Sequence, residues 1–259
     1  MLNNIQVFGM LLWRDLYILK KRFKDDLINA GVMVFFFNLI FGLFGPLIGL
    51  TKDLVADTFM GTIVGTFLFI GFSRALDDLS DIKFNHFIDY RRTLPISLPW
   101  FFGEYIAIYV IHCMCITIPI FLLGKLILGV RLDFSHIQWL PFIIMYLFSM
   151  ITVSLFFICL IFSVSFEWFK FNIWQRILTP LHQFGCLLYS WKRAYLFSPK
   201  IAMVLLLNPL THCNEGLRTA MRGVSEYLSV YVSITFLSIF IGIEIFMLLT
   251  VVRKKLDWV

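Results

Sequence analysis

The chain has 259 residues, of which 60% are hydrophobic and only 15% charged, with 30 Phe. A soluble domain of that length cannot bury so much apolar surface, which excludes an ordinary globular enzyme or binding module. The formal charge of +6 sits beside apolar stretches, not in a separate basic patch, which excludes nucleic acid as the partner and points to a membrane surface.

Six apolar stretches read as spans, because about 20 apolar residues cover a bilayer core of about 30 Å. The first 26 residues carry charges and no continuous apolar core, so no removable signal peptide is expected. There Ile5, Phe8, Leu12, Leu16, Leu19 and Phe23 share one helical face, with Arg14, Lys21 and Lys24 on others. This predicts an amphipathic helix over 1–26 lying in the headgroup plane, with Trp13, Arg14 and Asp15 at its centre.

Span one covers 27–50 and is interrupted by Asn38 and Pro46. A polar turn over 51–57 leads to a short span two at 58–75. Gly45 and Gly49 in span one, and Gly61 and Gly65 in span two, are small residues four apart that permit close helix approach. Charge then breaks the pattern, with Asp77, Asp78, Asp81, Lys83, Asp89, Arg91 and Arg92 interleaved by Leu79, Ile82, Phe84, Phe87 and Ile88. Periodic apolar residues among charges predict a short amphipathic helix outside the bilayer. Pro95 and Pro99 close this 77–98 region.

Span three, 100–128, carries Glu104 near its start, and span four covers 137–165. The stretch 174–191 is interrupted by Pro180 and His182, and a second short piece, 201–207, stops at Asn208-Pro209. Too short to cross, this part predicts a re-entrant or interfacial helix pair within an external region, 192–225. Span six, 227–252, contains Glu244 and ends in Arg253-Lys254-Lys255.

With both termini cytoplasmic, 14 of the 22 Lys and Arg residues fall inside and 8 outside, as the positive-inside rule requires. Arg176 is then inside and Lys200 outside, and the 77–92 segment is cytoplasmic. Basic residues of the external region face lipid or sugar phosphates.

No phosphate-binding loop, nucleophile elbow or H-E-x-x-H occurs. Uphill movement of a substrate therefore needs energy from a partner or an ion gradient. Five Cys (Cys113, Cys115, Cys159, Cys186 and Cys213), mostly in apolar runs, argue against a disulfide framework. His112-Cys113-Met114-Cys115 and His212-Cys213 hold soft ligands, but successive residues point to different helix faces, so no metal site is expected. Glu104 and Glu244 are intramembrane acids. Glu104 lies near enough to the cytoplasmic end to be hydrated, whereas Glu244 lies deeper, where pairing with another helix or snorkelling is expected ahead of a part in proton coupling.

Taken together, the arrangement resembles the membrane subunit of an ABC-2 type exporter. Leu12-Trp13-Arg14-Asp15-Leu16 resembles the family's opening segment, and Thr93-Leu94-Pro95-Ile96-Ser97 its link into span three. The run from Asn208-Pro209 through Glu215 to Arg218 is similar to the family's external segment before the last helix. The resemblance implies an all-α integral membrane fold, a single transmembrane domain over 1–259 with six spans, located in the cytoplasmic membrane. It implies two permease subunits, expected as a homodimer, and a separate ABC ATPase subunit that carries ATP and Mg. No cofactor is expected on the chain itself. Asp77, Asp78, Asp81, Ile82, Phe84, Phe87, Arg91 and Arg92 would form the coupling helix that docks on the ATPase. The cargo implied is a glycan, a lipid or a drug-like amphiphile. The competing classes are an ATP-independent carrier, an integral-membrane lipid or glycan transferase, and a non-catalytic assembly or channel subunit.

Overall fold

The computed structural model describes residues 4–48, 53–85, 93–129, 132–223 and 227–256. Five helices in these residues are long and apolar enough to cross a membrane: 4–42, 55–84, 98–128, 139–163 and 230–250. The central one is α2 (Asp53–Ser80), which packs against the helices on every side. Its Phe59, Met60, Ile63 and Phe67 are wholly buried. Thr62 and Thr66, also buried, each donate back to the carbonyl one turn earlier, at 2.6 and 2.9 Å, so neither of these two hydroxyls is orphaned. Gly61 and Gly65 are used inside the chain. A Cβ on Gly61 would lie 2.2 Å from the Leu187 carbonyl oxygen, and one on Gly65 would lie 2.7 Å from the His182 ring. Their spacing serves close packing within one subunit.

Helix α1 (Asn4–Phe37) corrects the expected division at residue 26. The amphipathic segment and the first part of span one are one helix, which runs beside α3 (Leu98–Leu128) and ends in a π-turn at Asn38–Phe44. Nothing between Asp25 and Ala30 breaks a helix, and α1 is held laterally by ion pairs to α2, Arg22–Asp77 and Asp15–Arg74, and by the Asp26–His112 contact to α3. Near its start, Asn4 Oδ1 accepts from the Ser97 amide at 3.1 Å, and Phe8 meets Trp100 edge-on at 5.6 Å.

Span two is likewise longer than expected. Its helix runs on through Asp77 to Ser80 and into a π-turn, Asp81–Asn85. The first part of the charged segment is therefore the end of α2, not a detached helix. Phe87, Asp89, Arg91 and Arg92 lie outside the described residues.

Helix α4 (Trp139–Ser163) packs on α2, α3 and α10 (Val230–Leu256). Between them the chain is broken into shorter pieces. A helical rod runs from α5 (Phe166–Ile173) through a π-turn to α6 (Thr179–Gln183). With Glu167, Lys170 and Arg176 on it, this rod does not match the long apolar helices, which is why the described residues hold five of these instead of the expected six. A helical hairpin follows, α7 (Trp191–Phe197) and α8 (Pro199–Leu205), reversed at the extended Ser198. The Trp191 indole N–H closes it by donating to the Ala202 carbonyl at 2.8 Å. Helix α9 (Pro209–Arg222) then packs on α2, α4 and α10.

Candidate functional site

The charged end of the bundle is built by α1, α2 and α3. Asp15, 5% exposed, accepts from Arg14 Nε at 2.6 Å and lies 3.5 Å from the Arg74 guanidinium of α2. Arg22 pairs with Asp77, both half-exposed. Asp26 lies 3.2 Å from the His112 ring on α3. These groups, with Asp78, Asp81 and Tyr105, line a cavity of about 320 Å³. Three Arg and five Asp face it. Charges this close stabilise one relative setting of the three helices, and the more exposed pairs are easily exchanged for other partners.

Beyond the cavity, Lys83 pairs with Glu167 at the start of α5, and Phe84 packs edge-on against Phe166 at 5.6 Å. Ile82 is half-buried against the core, whereas Phe84 is 60% exposed and Trp13 is 75% exposed. The segments around Asp15 and Asp77, 62 positions apart in the chain, thus share one site.

The opposite end is held by a buried polar network. Asn208 caps α9 by accepting from the Leu210 amide at 3.0 Å, and its amide donates to the Leu181 carbonyl at 2.7 Å. Pro209 suits the first helical position because its missing N–H needs no partner there. Asn208→Ala should therefore destabilise the protein by about 1–2 kcal/mol through loss of the cap, read as a lower midpoint in thermal unfolding in detergent.

About two turns further along α9, Glu215 and Arg218 are fully buried and 3.1 Å apart. The Arg218 guanidinium also donates to the carbonyls of Asp57, Leu187 and Tyr189, at 2.6–3.2 Å. Glu215 accepts from the amides of Trp191 and Leu228, at 3.0 and 3.3 Å. Tyr227 donates to Asp57 Oδ1 at 2.5 Å, and the Arg222 guanidinium donates to the Tyr227 hydroxyl at 2.9 Å. Burial pushes the Glu215 carboxyl above its ordinary range, and Arg218 and the two amides pull it back. Burial, then the Asp57 carboxylate, pushes the Tyr227 hydroxyl up.

A family model described as ABC-2 type transporter matches residues 6–221. The chain belongs to that family. No curated protein and no solved structure matched it. The match covers the charged cavity and the buried polar network at the opposite end up to Arg218, so both lie within the ABC-2 membrane domain. The five long apolar helices fit a multi-pass ABC permease.

Within this permease Glu104 and Glu244 behave differently from expectation. Glu104 is wholly buried on α3 instead of hydrated at the helix end. Glu244 is 5% exposed on α10, and neither of its carboxylate oxygens has a hydrogen-bond partner among the described residues. Its backbone carbonyl faces the Cys159 thiol at 3.5 Å. His112 turns to Asp26 of α1, and His212 stacks on Phe236 at 3.8 Å. Arg22, Asp26, Arg74, Asp57 and Tyr227 were not singled out from sequence. Asp57 carried one signal, an acid at the mouth of an apolar helix, but its partners lie more than 150 positions away.

Proposed function

We propose that the chain is the permease subunit of an ATP-binding cassette exporter, moving an amphiphile outward across the cytoplasmic membrane. Two copies form the pathway, and a separate ATPase subunit supplies the energy by hydrolysing ATP with Mg. Residues 166–183 supply the sixth crossing, and α7 and α8 enter the membrane from outside. Both termini are cytoplasmic. The observation that carries the reading, beside family membership, is the charged cavity. It joins α1 to the end of α2 at the place where the segment 77–92 would meet the ATPase. A ligand shifts a two-state protein only by binding the states differently. ATP would act here through the partner, by moving the α2 end relative to α1.

Affinity purification from the native host in mild detergent tests this. A near-stoichiometric protein with a phosphate-binding loop is expected to co-purify. An intact, folded chain without one would overturn the assignment. Charge reversal at Asp77 separates docking from folding. Because the Arg22–Asp77 pair is half-exposed, its loss should cost at most about 1 kcal/mol of stability. Asp77→Arg should therefore insert and melt nearly as wild type while recovering much less ATPase. Unchanged recovery would remove this residue from the docking surface.

The buried Glu244 favours one second reading, an ATP-independent, proton-coupled carrier. It predicts uptake or release driven by a pH gradient in vesicles holding the chain alone, abolished by Glu244→Gln.

A further inference from the structure

Helix α8 of the hairpin faces the α5–α6 rod across a cavity of about 810 Å³. Its walls are apolar: Phe156 of α4, Ile177, Leu181 and Phe184 of the rod, and Ile201 and Val204 of the hairpin. Two charged side chains also line it, Arg176 and Lys200, and no carboxylate does. The topology expected from sequence put these two cations on opposite sides of the membrane. The chain reversal at Ser198 brings them to one cavity instead.

Their depth follows from helix arithmetic. Glu167 marks the charged end through its pair with Lys83. Arg176 lies nine residues further on, about 13 Å along a helix. Leu181, bonded to Asn208, marks the external end. Arg176 thus lies part-way along the span, and Lys200 shares its groove, both side chains exposed to it. A charge at that depth is costly unless a counter-charge joins it. Among the described residues neither Arg176 nor Lys200 has a carboxylate partner.

We infer that this groove binds the exported cargo, and that the cargo is an amphiphile with an anionic group, a phosphate or a carboxylate, on a hydrocarbon chain. This rests on the exporter reading above and narrows it. The anion sits between Arg176 and Lys200, and the chain lies along Leu181, Phe184, Ile201 and Val204. A volume of this size is in the range of pockets that enclose drug-sized ligands. A second copy of the chain fits less well. In a two-fold interface the same patch meets itself, which would set these cations against their own copies.

The test uses the detergent-solubilised complex with its co-purified ATPase. Three photoreactive probes share one hexadecyl chain and end in phosphate, hydroxyl or trimethylammonium. Cross-linked peptides are mapped by mass spectrometry. The phosphate probe should label 176–184 and 200–207 about tenfold more than the other two, as a charge-assisted contact predicts. Arg176→Gln with Lys200→Gln should remove that preference while leaving labelling by the alcohol as it was, which also reports an intact groove. Trapping the ATPase with ATP and vanadate should lower labelling by the phosphate probe. Equal labelling by all three probes would overturn the inference, leaving a plain lipid-facing surface. Labelling unmoved by vanadate would overturn it in favour of a resident lipid. Cross-links between two copies through Phe184 or Ile201 would overturn it in favour of a subunit interface. Recovery of the ATPase in the same preparation is scored separately, so failure of the groove is distinguishable from failure of the exporter assignment.

Discussion

Arg218→Met should lower the thermal unfolding midpoint by about 10 °C, the largest drop expected from any single change outside the apolar core. Methionine replaces the volume but none of the donors. Glu215 then keeps only the amides of Trp191 and Leu228, and three buried carbonyls lose a charged donor. Breaking a buried pair by removing one partner typically costs about 3–5 kcal/mol, since the other charge stays buried. A nearby thiol reports the same event. Burial pushes the Cys186 thiol up to about 12, so at pH 8 it stays protonated and slow to react with maleimide. In Arg218→Met the labelling of Cys186 should accelerate. The double variant Arg218→Met, Glu215→Leu should cost less than the sum of the two single changes, because it removes the stranded charge. Additive losses would mean that the two side chains do not act as a pair.

Gly61→Leu should give little or no folded protein, and Gly61→Ala should already be clearly destabilised. The Cβ of any side chain here meets the Leu187 backbone, at 2.2 Å from its oxygen, and a backbone group cannot swing aside as a side-chain tip can. Overpacking of a filled core typically costs about 1–3 kcal/mol, and more where the backbone must move. Gly31 on α1 is the control, because a Cβ there has nothing within 4 Å. Gly31→Ala should be neutral or slightly stabilising, as expected for Ala in a helix. Size-exclusion profiles and melting curves of the two Ala variants make the comparison. A well-behaved Gly61→Ala would mean that α2 and the loop after α6 are less tightly apposed.

These two positions also show what can be read from sequence and what cannot. Asn208-Pro209 was read as the stop of a short helix; that it also starts α9 rests on a local cap, with acceptor and donor two residues apart. Glu215 and Arg218, one turn apart on α9, were legible as a motif, but their burial was not. It depends on Asp57, Leu187 and Tyr189, which the chain brings in from elsewhere. Gly61 and Gly65 announced a close approach without saying to what. The false boundary at residue 26 arose because hydrophobic periodicity gives the faces of a helix, not whether it bends. The Arg22–Asp77 and Asp26–His112 pairs that let it run on are tertiary contacts.

The uninterrupted first helix has a mechanical consequence. At 34 residues it is a stiff rod of about 51 Å. Its charged end is gripped at Asp15, Arg22 and Asp26, and its far end meets a π-turn, where the backbone bonding pattern loosens. The grips lie along residues 15–26, so about 17 Å of the rod extends past them, and a tilt of about 15° about that segment displaces the far end by about 4 Å. A small shift among carboxylates and guanidiniums at one face of the molecule is thereby converted, without any intervening hinge, into a movement of side-chain size beside Gly42, Val55 and Leu128 at the other.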